Sequence, residues 1–254
     1  MKQNILIYYA VFFAGMLLLL FSCKKEKEEI LTYRNLSFNP SFLSERIPSG
    51  LKSSSDPHAR LVYDDIADML DWSEFSDQLI LPEDAVKLNS GNSRLKYQWN
   101  KNTGSSLLTI NLVFSKEGND FRWDEKIQYG TGMTNEYLSI KESSDKKDGS
   151  LDYNVYWFCG WEQLTSSCEA VMKHYTWTFK DDGGIFYSLT GAEPSSDAGQ
   201  PIEFRLNLNS DGTGNSMAVA GTFYYTAAWD SLGNGTYTLH DNENTEIYEW
   251  TVVE

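Results

Sequence analysis

The stretch IEFRLNLNSDGTGN, residues 202–215, decides the fold. Ile202, Phe204, Leu206 and Leu208 alternate with Glu203, Arg205 and Asn207. Successive side chains of a strand point to opposite faces, so this is an extended segment with one apolar and one polar side. Asn209-Ser210-Asp211-Gly212 then breaks the alternation with residues that tight hairpin turns favour. The same pattern recurs in both directions. LLTINLVFS (107–115) puts Leu108, Ile110, Leu112 and Phe114 on one side; YTWTFK (175–180) does so with Tyr175, Trp177 and Phe179; EIYEWTVV (246–253) does so with Tyr248, Trp250 and Val252. Between such runs lie NKNTGS, SKEGND, KKDGS, KDDGG and DSLGNG, clusters that combine Gly with Asp or Asn. From Arg94 onward this predicts roughly ten or eleven strands joined by short turns, an antiparallel meander. With one apolar face, the sheet must curl over its own core. The expected fold is mainly β: a large curved meander, a half-barrel or incomplete barrel. No longer internal repeat emerges.

Upstream, DPHARLVYDDIADMLDW (56–72) is the best helix. Asp56 can cap it, Pro57 suits its first turn, and Val62, Ile66, Met69 and Leu70 share one face. Asp64, Asp65, Asp68 and Asp71 occupy the rest, a solvated face. LPEDAVKL (81–88) is expected to add one short helix. The amphipathic helix is available to plug or cover the concave side of the sheet.

The N-terminus concerns location. After Met1-Lys2-Gln3-Asn4, residues Ile5 to Phe21 form an uncharged run rich in Leu and Phe, the layout of a secretory signal. Its length is at the bottom of the range for a spanning helix, so a retained anchor stays open. Leu20-Phe21-Ser22-Cys23 resembles the lipobox of bacterial lipoprotein precursors, although Phe21 is larger than the usual residue there. That resemblance implies a signal peptide over 1–22, cleavage before Cys23, acylation of its thiol and amino group, and an outer-membrane lipoprotein of the bacterial envelope. Several acyl chains anchor stably where one does not. Lys24, Lys25, Glu26, Lys27, Glu28 and Glu29 follow. They are similar to the charged leader of surface-exported lipoproteins of Bacteroidetes-type bacteria, or are a plain solvated spacer. Periplasmic face and cell surface both stay open. Residues 23–55 are expected to be the lipidated Cys and a tether, about 30 Å end to end if flexible. Leu36, Phe38, Phe42 and Leu43 suggest that part of it docks. Residues 56–254 then form one β-rich domain.

An N-terminal helix followed by a long meander, with KDGSLDYNVYWF (147–158) and YTWTFKDDGGIFYSLTG (175–191), is similar to envelope lipoproteins of Bacteroidetes-type bacteria. The resemblance implies a half-barrel like that of lipoprotein and lipid carriers. It brings no catalytic residue with it.

Composition narrows the functions. With 21 Lys and Arg against 36 Asp and Glu, net −15, the chain is ill suited to nucleic acid, whose phosphates need basic clusters. It is equally ill suited to electrostatic docking on anionic headgroups. His58, His174 and His240 are scattered, there is no G-x-S-x-G elbow, and no metal motif accompanies the cysteines. No cofactor is expected. NLNSDG (207–212) imitates the start of a calcium loop, but Ala218 stands where that loop needs Glu. Asp181-Asp182 and Asp124-Glu125 are paired acids of the kind a glycosidase uses, in a chain where acids pair by chance. A hydrolase is therefore the least favoured expectation.

With Cys23 acylated, Cys159 and Cys168 remain, separated by a Gly- and Ser-containing stretch. They suit one disulfide in an exported protein, or two free thiols. Aromatics make up 14% of the chain, with 15 Tyr and 8 Trp, enough to ask which lie outside the core. Trp157 and Trp161 bracket Cys159; Tyr224, Tyr225 and Trp229 lie together, and adjacent Tyr224 and Tyr225 must face opposite ways. These five are the candidate ligand-binding residues. The expected protein is a non-enzymatic envelope protein that binds an apolar or amphipathic ligand, with a cell-surface glycan-binding module as the alternative.

Overall fold

The computed structural model describes residues 30–73, 80–89, 91–102, 107–132, 134–155, 171–193, 200–241 and 244–252. The strands are β1 (Val86–Leu88), β2 (Arg94–Asn102), β3 (Leu107–Glu117), β4 (Asp120–Tyr129), β5 (Thr134–Ser143), β6 (Asp148–Val155) and β7 (Val171–Phe179). They continue as β8 (Ile185–Glu193), β9 (Gln200–Leu208), β10 (Gly214–Ala220), β11 (Phe223–Trp229), β12 (Gly235–Asp241) and β13 (Asn244–Trp250). All thirteen form one sheet in chain order, each antiparallel to the next, and β1 does not pair with β13. The expected curved, open antiparallel meander is the fold. Three elements differ from expectation. There are thirteen strands among the described residues rather than ten or eleven. The short helix expected at 81–88 is instead strand β1, an exposed three-residue edge paired to β2. The β-branched Val86 and an extended partner outweigh the local helical pattern.

The third difference is how much of the expected tether docks, beyond the Leu36, Phe38, Phe42 and Leu43 that suggested it. From Leu31 on it belongs to the domain. A 3-10 turn at Pro40–Phe42 leads into α1 (Leu43–Arg46) and α2 (Ser49–Ser53), and Phe38, Leu43, Ile47 and Leu51 are core residues. This strap runs along one rim of the sheet, past each hairpin in turn. The Arg34 carbonyl accepts from Trp123 Nε1 of β4 at 3.0 Å. Arg46 Nη1 donates to the Gly183 carbonyl in the β7–β8 turn at 2.7 Å. Pro48 lies over Gly212 of the β9–β10 turn, and Gly50 and Leu51 press on Gly233 of the β11–β12 turn. Gly212 and Gly233 have φ of 86° and 98°, left-handed conformations that side chains rarely adopt.

Helix α3 (Pro57–Leu70) then returns across the concave face. The Asp56 carboxylate accepts from the His58 and Ala59 amides, the expected cap. Ala59, Val62, Ile66 and Leu70 are buried against the sheet. His58 stacks on Tyr248 of β13 at 4.0 Å between centroids. The Tyr225 hydroxyl of β11 donates to Asp65 at 2.6 Å, and the Tyr187 hydroxyl of β8 donates to the Met69 carbonyl at 2.8 Å. Trp72, just past the helix, donates from Nε1 to that same Tyr187 oxygen at 3.1 Å. The sheet thus closes over its own N-terminal segment. Leu43, Leu51, Val62 and Ile66 are fully buried, each worth about 1.5–3 kcal/mol relative to exposure.

A recurring device seats the large rings. Gly149, Gly214 and Gly235 each lie in a strand opposite a tryptophan: Trp177, Trp229 and Trp250 respectively. A Cβ at any of the three would run into that indole. Trp177 in turn stacks face to face on Phe38 of the strap, 4.3 Å between centroids at 3°. Gly149→Ala is therefore expected to displace Trp177 and loosen the strap, at a cost of about 1–3 kcal/mol or more. Urea unfolding checks it; unchanged stability would mean that the indole has other room.

Candidate ligand site on the concave face

Cross-strand partners share a face, so the register lays out the concave wall in rows. Tyr97, Leu112, Glu125, Leu138 and Tyr153 form one row over β2–β6. Leu95, Phe114, Trp123, Ile140 and Leu151 form the next on one side, and Trp99, Ile110 and Ile127 lie on the other. All are buried. Glu125 is the exception in kind: a carboxylic acid at 3% exposure inside an apolar and aromatic wall. Its Oε1 is buried and has no hydrogen-bond partner. A β-bulge sits beside it, between Glu125 and Lys126. The bulge turns two successive residues of β5, Tyr137 and Leu138, into the interior. Tyr137 and Tyr153 meet edge to face at 5.2 Å. From the strap, Tyr33 covers Tyr97 and Phe114 edge-on at 5.4 and 5.2 Å.

Burial pushes the Glu125 carboxyl up to about 8, against a weaker pull from the Lys101 charge. Burial, with Tyr97 and Glu125 nearby, holds the Tyr33 phenol up at about 12. Near neutral pH the wall therefore carries a neutral acid that can donate one hydrogen bond and accept others, among aromatic rings. Such a group suits the oxygen of an uncharged or amphipathic molecule.

A second acid shows the contrast. Glu142 of β5 has no exposed side-chain surface. Its carboxylate accepts from Arg34 Nη2 at 2.5 Å, from the Ser37 hydroxyl at 2.5 Å, and from the Ser37 and Phe38 amides at 3.2 Å each. Both acids point inward. Glu142 is fully engaged in pinning the strap, whereas Glu125 is not engaged by it.

The residues singled out from the sequence divide three ways. Trp229 and Tyr225 are core residues taken up by internal packing, Trp229 against Gly214 and Tyr225 against Asp65 of α3. Tyr225 holds α3 through Asp65, whose own carboxyl is raised chiefly by burial. Tyr224 does face outward, as the alternation requires, and stacks on His240 at 4.4 Å between centroids. Cys23, Trp157, Cys159, Trp161 and Cys168, with the expected lipidation and disulfide, lie outside the described residues.

The histidines do not converge. On the outer face His174 Nδ1 meets Asp152 Oδ1 at 2.6 Å, with both side chains partly exposed. Thr190 is next in that row, and no hydrogen bond joins it to His174. Among the described residues no three His, Cys, Asp or Glu are grouped to hold a metal. NLNSDG forms the β9–β10 turn, with Asp211 accepting from the Thr213 amide and hydroxyl. Among the described residues no helix is long and apolar enough to cross a membrane. No family model matches the chain, and no curated protein or solved structure matches it significantly. What defines the described part of the protein is an open β-meander filled by its own N-terminal strap and helix, with a buried acid in its aromatic wall, one oxygen of which has no hydrogen-bond partner.

Proposed function

We propose that the protein is a lipid-anchored, non-enzymatic lipoprotein of the bacterial outer membrane whose concave face binds an apolar or amphipathic ligand between β2 and β6. The observation that carries this reading is Glu125: a buried acid with an unpartnered oxygen in a wall of tyrosine, tryptophan and leucine. Leaving a buried polar group unsatisfied costs about 1–3 kcal/mol, and a ligand oxygen meeting it would remove that cost. The apolar run before Cys23 supplies the anchor. The non-enzymatic part is supported by the separation of the histidines and by the position of the Asp152–His174 pair, partly exposed on the outer face.

The test is native mass spectrometry of the full-length protein extracted from membranes. A co-purifying neutral or amphipathic molecule is expected in wild type and reduced in Glu125→Leu, which keeps the wall apolar. Ligand retention unaffected by Glu125→Leu would reject this site. Cys23→Ala is expected to release the chain from the membrane fraction or stall its processing. Equal retention of an uncleaved mutant would favour the retained helix. One observation favours the glycan alternative: the outward Tyr224–His240 stack offers a flat ring to a sugar. On that reading Tyr224→Ala lowers retention on a polysaccharide gel while unfolding stays unchanged.

A further inference from the structure

The open sheet has two edge strands, and they are unlike. β1 is three residues long and carries Lys87, and both features discourage a further strand from pairing. β13 is seven residues long, Asn244–Trp250, and has no strand neighbour but β12 among the described residues. It contains neither Lys nor Pro, and its register with β12 runs without a bulge. Alternate residues of an antiparallel strand turn their N–H and C=O away from the partner, so β13 presents a row of such groups along its free side. Ile247 stands at its middle at 67% exposure, more than any other large apolar residue in the described strands.

The sequence of β13 is complementary to a second β13 running the other way. Tyr248 and Trp250 lie opposite the inward Tyr237 and Gly235, so Glu246 shares the concave side with them, while Thr245, Ile247 and Glu249 face outward. Directly opposed residues of an antiparallel pair share a face. A two-fold axis through Ile247 therefore sets Ile247 against its own copy, Thr245 against Glu249, Glu246 against Tyr248 and Asn244 against Trp250. The whole strand is used, no acid faces an acid, and the exposed isoleucines meet at the axis. The Tyr248 hydroxyl already donates to Glu246 along one strand, and the same two groups face each other across the axis. Other axes that keep the faces matched fit worse. An axis at Glu246 or Glu249 sets glutamate directly against glutamate, which is destabilising. An axis at Tyr248 sets Ile247 against Glu249, and one at Thr245 pairs only Asn244 to Glu246.

We propose that β13 is a homodimerisation edge, through which two copies of this chain join their sheets by antiparallel β13–β13 pairing about a two-fold axis at Ile247. The contact is isologous, so it closes at two copies and does not propagate. It rests on neither the membrane anchor nor the concave ligand site. Both concave faces stay on the same side of the joined sheet, and the wall over β2–β6 lies toward the far edge from the axis. One strand pair makes an interface at the small end of the specific range, so the association is weak, with a dissociation constant on the order of micromolar. Each copy carries net −15. Association therefore strengthens as added salt screens the repulsion.

The experiment uses full-length protein in excess mild detergent, with sedimentation velocity followed across the micromolar range at low and at physiological salt. A monomer–dimer equilibrium is expected, with more dimer at the higher salt. Ile247→Lys replaces two meeting isoleucines by two ammonium groups and is expected to raise the dissociation constant at least about tenfold. The side chain is exposed in the single copy, so the thermal midpoint of dilute Ile247→Lys is expected to match wild type. Ile247→Val is expected to keep the dimer. The register is read by oxidative crosslinking and peptide mapping, which separates the engineered links from any at Cys23, Cys159 or Cys168. Ile247→Cys is expected to link to its own copy. Thr245→Cys mixed with Glu249→Cys is expected to link, and neither is expected to link to itself through position 245 or 249. These register-specific links judge the proposal even if Ile247→Lys misfolds. A monomer at every concentration overturns it. So does a dimer that survives Ile247→Lys, a crosslink in another register, or a different protein found on β13 in place of a second copy.

Discussion

Glu142→Ala is expected to destabilise the protein by about 2–4 kcal/mol and to free the strap. The carboxylate is wholly buried and is the common acceptor for Arg34, the Ser37 hydroxyl and two successive backbone amides. Removing one partner of a buried ion pair costs about 3–5 kcal/mol, because the other is left uncompensated. Arg34 is about one quarter exposed and can recover some hydration, which lowers the expectation. The Phe38 amide is buried and cannot. Phe38 also stacks on Trp177 and packs edge-on against Trp72, so loss of the acceptor loosens an aromatic cluster as well. Thermal unfolding is expected to shift by roughly 2–4 °C for each kcal/mol in a domain of this size. Amide exchange of residues 31–38 is expected to accelerate more than that of α3. Glu142→Gln keeps an acceptor for the amides and loses the charge, so it is expected to cost about half as much. Stability within about 0.5 kcal/mol of wild type in Glu142→Ala would show that the strap is held elsewhere.

The fold was legible because period-two alternation and turn clusters are local properties. IEFRLNLN needs no partner to declare its apolar side, and the structure uses that side. The role of the second glycine in each cluster was not legible. In NSDGTG and DSLGNG the first glycine, Gly212 or Gly233, makes the turn, while Gly214 and Gly235 lie within strands beneath Trp229 and Trp250. In KKDGS the left-handed residue is Lys146, and Gly149 makes room for Trp177. A tryptophan one strand away fixes these positions, and sequence separation hides it. The strap was legible only as a segment with a few apolar residues that could dock, Leu36, Phe38, Phe42 and Leu43, and its course was hidden for a related reason. Residues 31–55 have too little periodicity to read as an element, and they become ordered by contact with five successive strand pairs. The buried acid of the concave wall was the hardest to see. Glu125 sat beside Asp124 as one of many paired acids, yet alternation sends Asp124 outward to Arg122 and Ser139 and sends Glu125 into the core. Its position in DFRWDEKIQY, two residues from the inward Trp123 and Ile127, was the available signal. Trp229 misled because a tryptophan near adjacent tyrosines looks like a platform until the glycine beneath it is known.

Glu125 also makes a prediction about pH. Its folded-state value of about 8 lies above the ordinary 4.5, chiefly because burial penalises the charged form. Between pH 4.5 and pH 8 the folded protein therefore holds a proton that the unfolded chain has given up. More protons bound in the folded state means that stability falls as pH rises through this window, by up to about 1.4 kcal/mol for each pH unit. Below the unfolded value both states are protonated and the contribution is flat; above the folded value the full penalty is present. Other carboxyls act in the opposite sense at more acid pH. Asp145, Asp181, Asp211 and Asp230 are lowered by hydrogen bonds in or beside turns. The clean quantity is thus the difference between wild type and Glu125→Gln, which replaces the acid by a neutral group of the same shape. At pH 5 the two are expected to agree within about 1 kcal/mol, and by pH 9 the glutamine variant is expected to be more stable by roughly 3–5 kcal/mol. Urea unfolding at intervals from pH 5 to pH 9 measures it. Parallel profiles would mean that Glu125 ionises freely, and the neutral-acid account of the concave site would fall with them. A ligand that accepts a hydrogen bond from the protonated acid adds a further signature. It is expected to bind more weakly as pH rises past 8, and to hold the folded form of wild type more strongly at pH 6 than at pH 9.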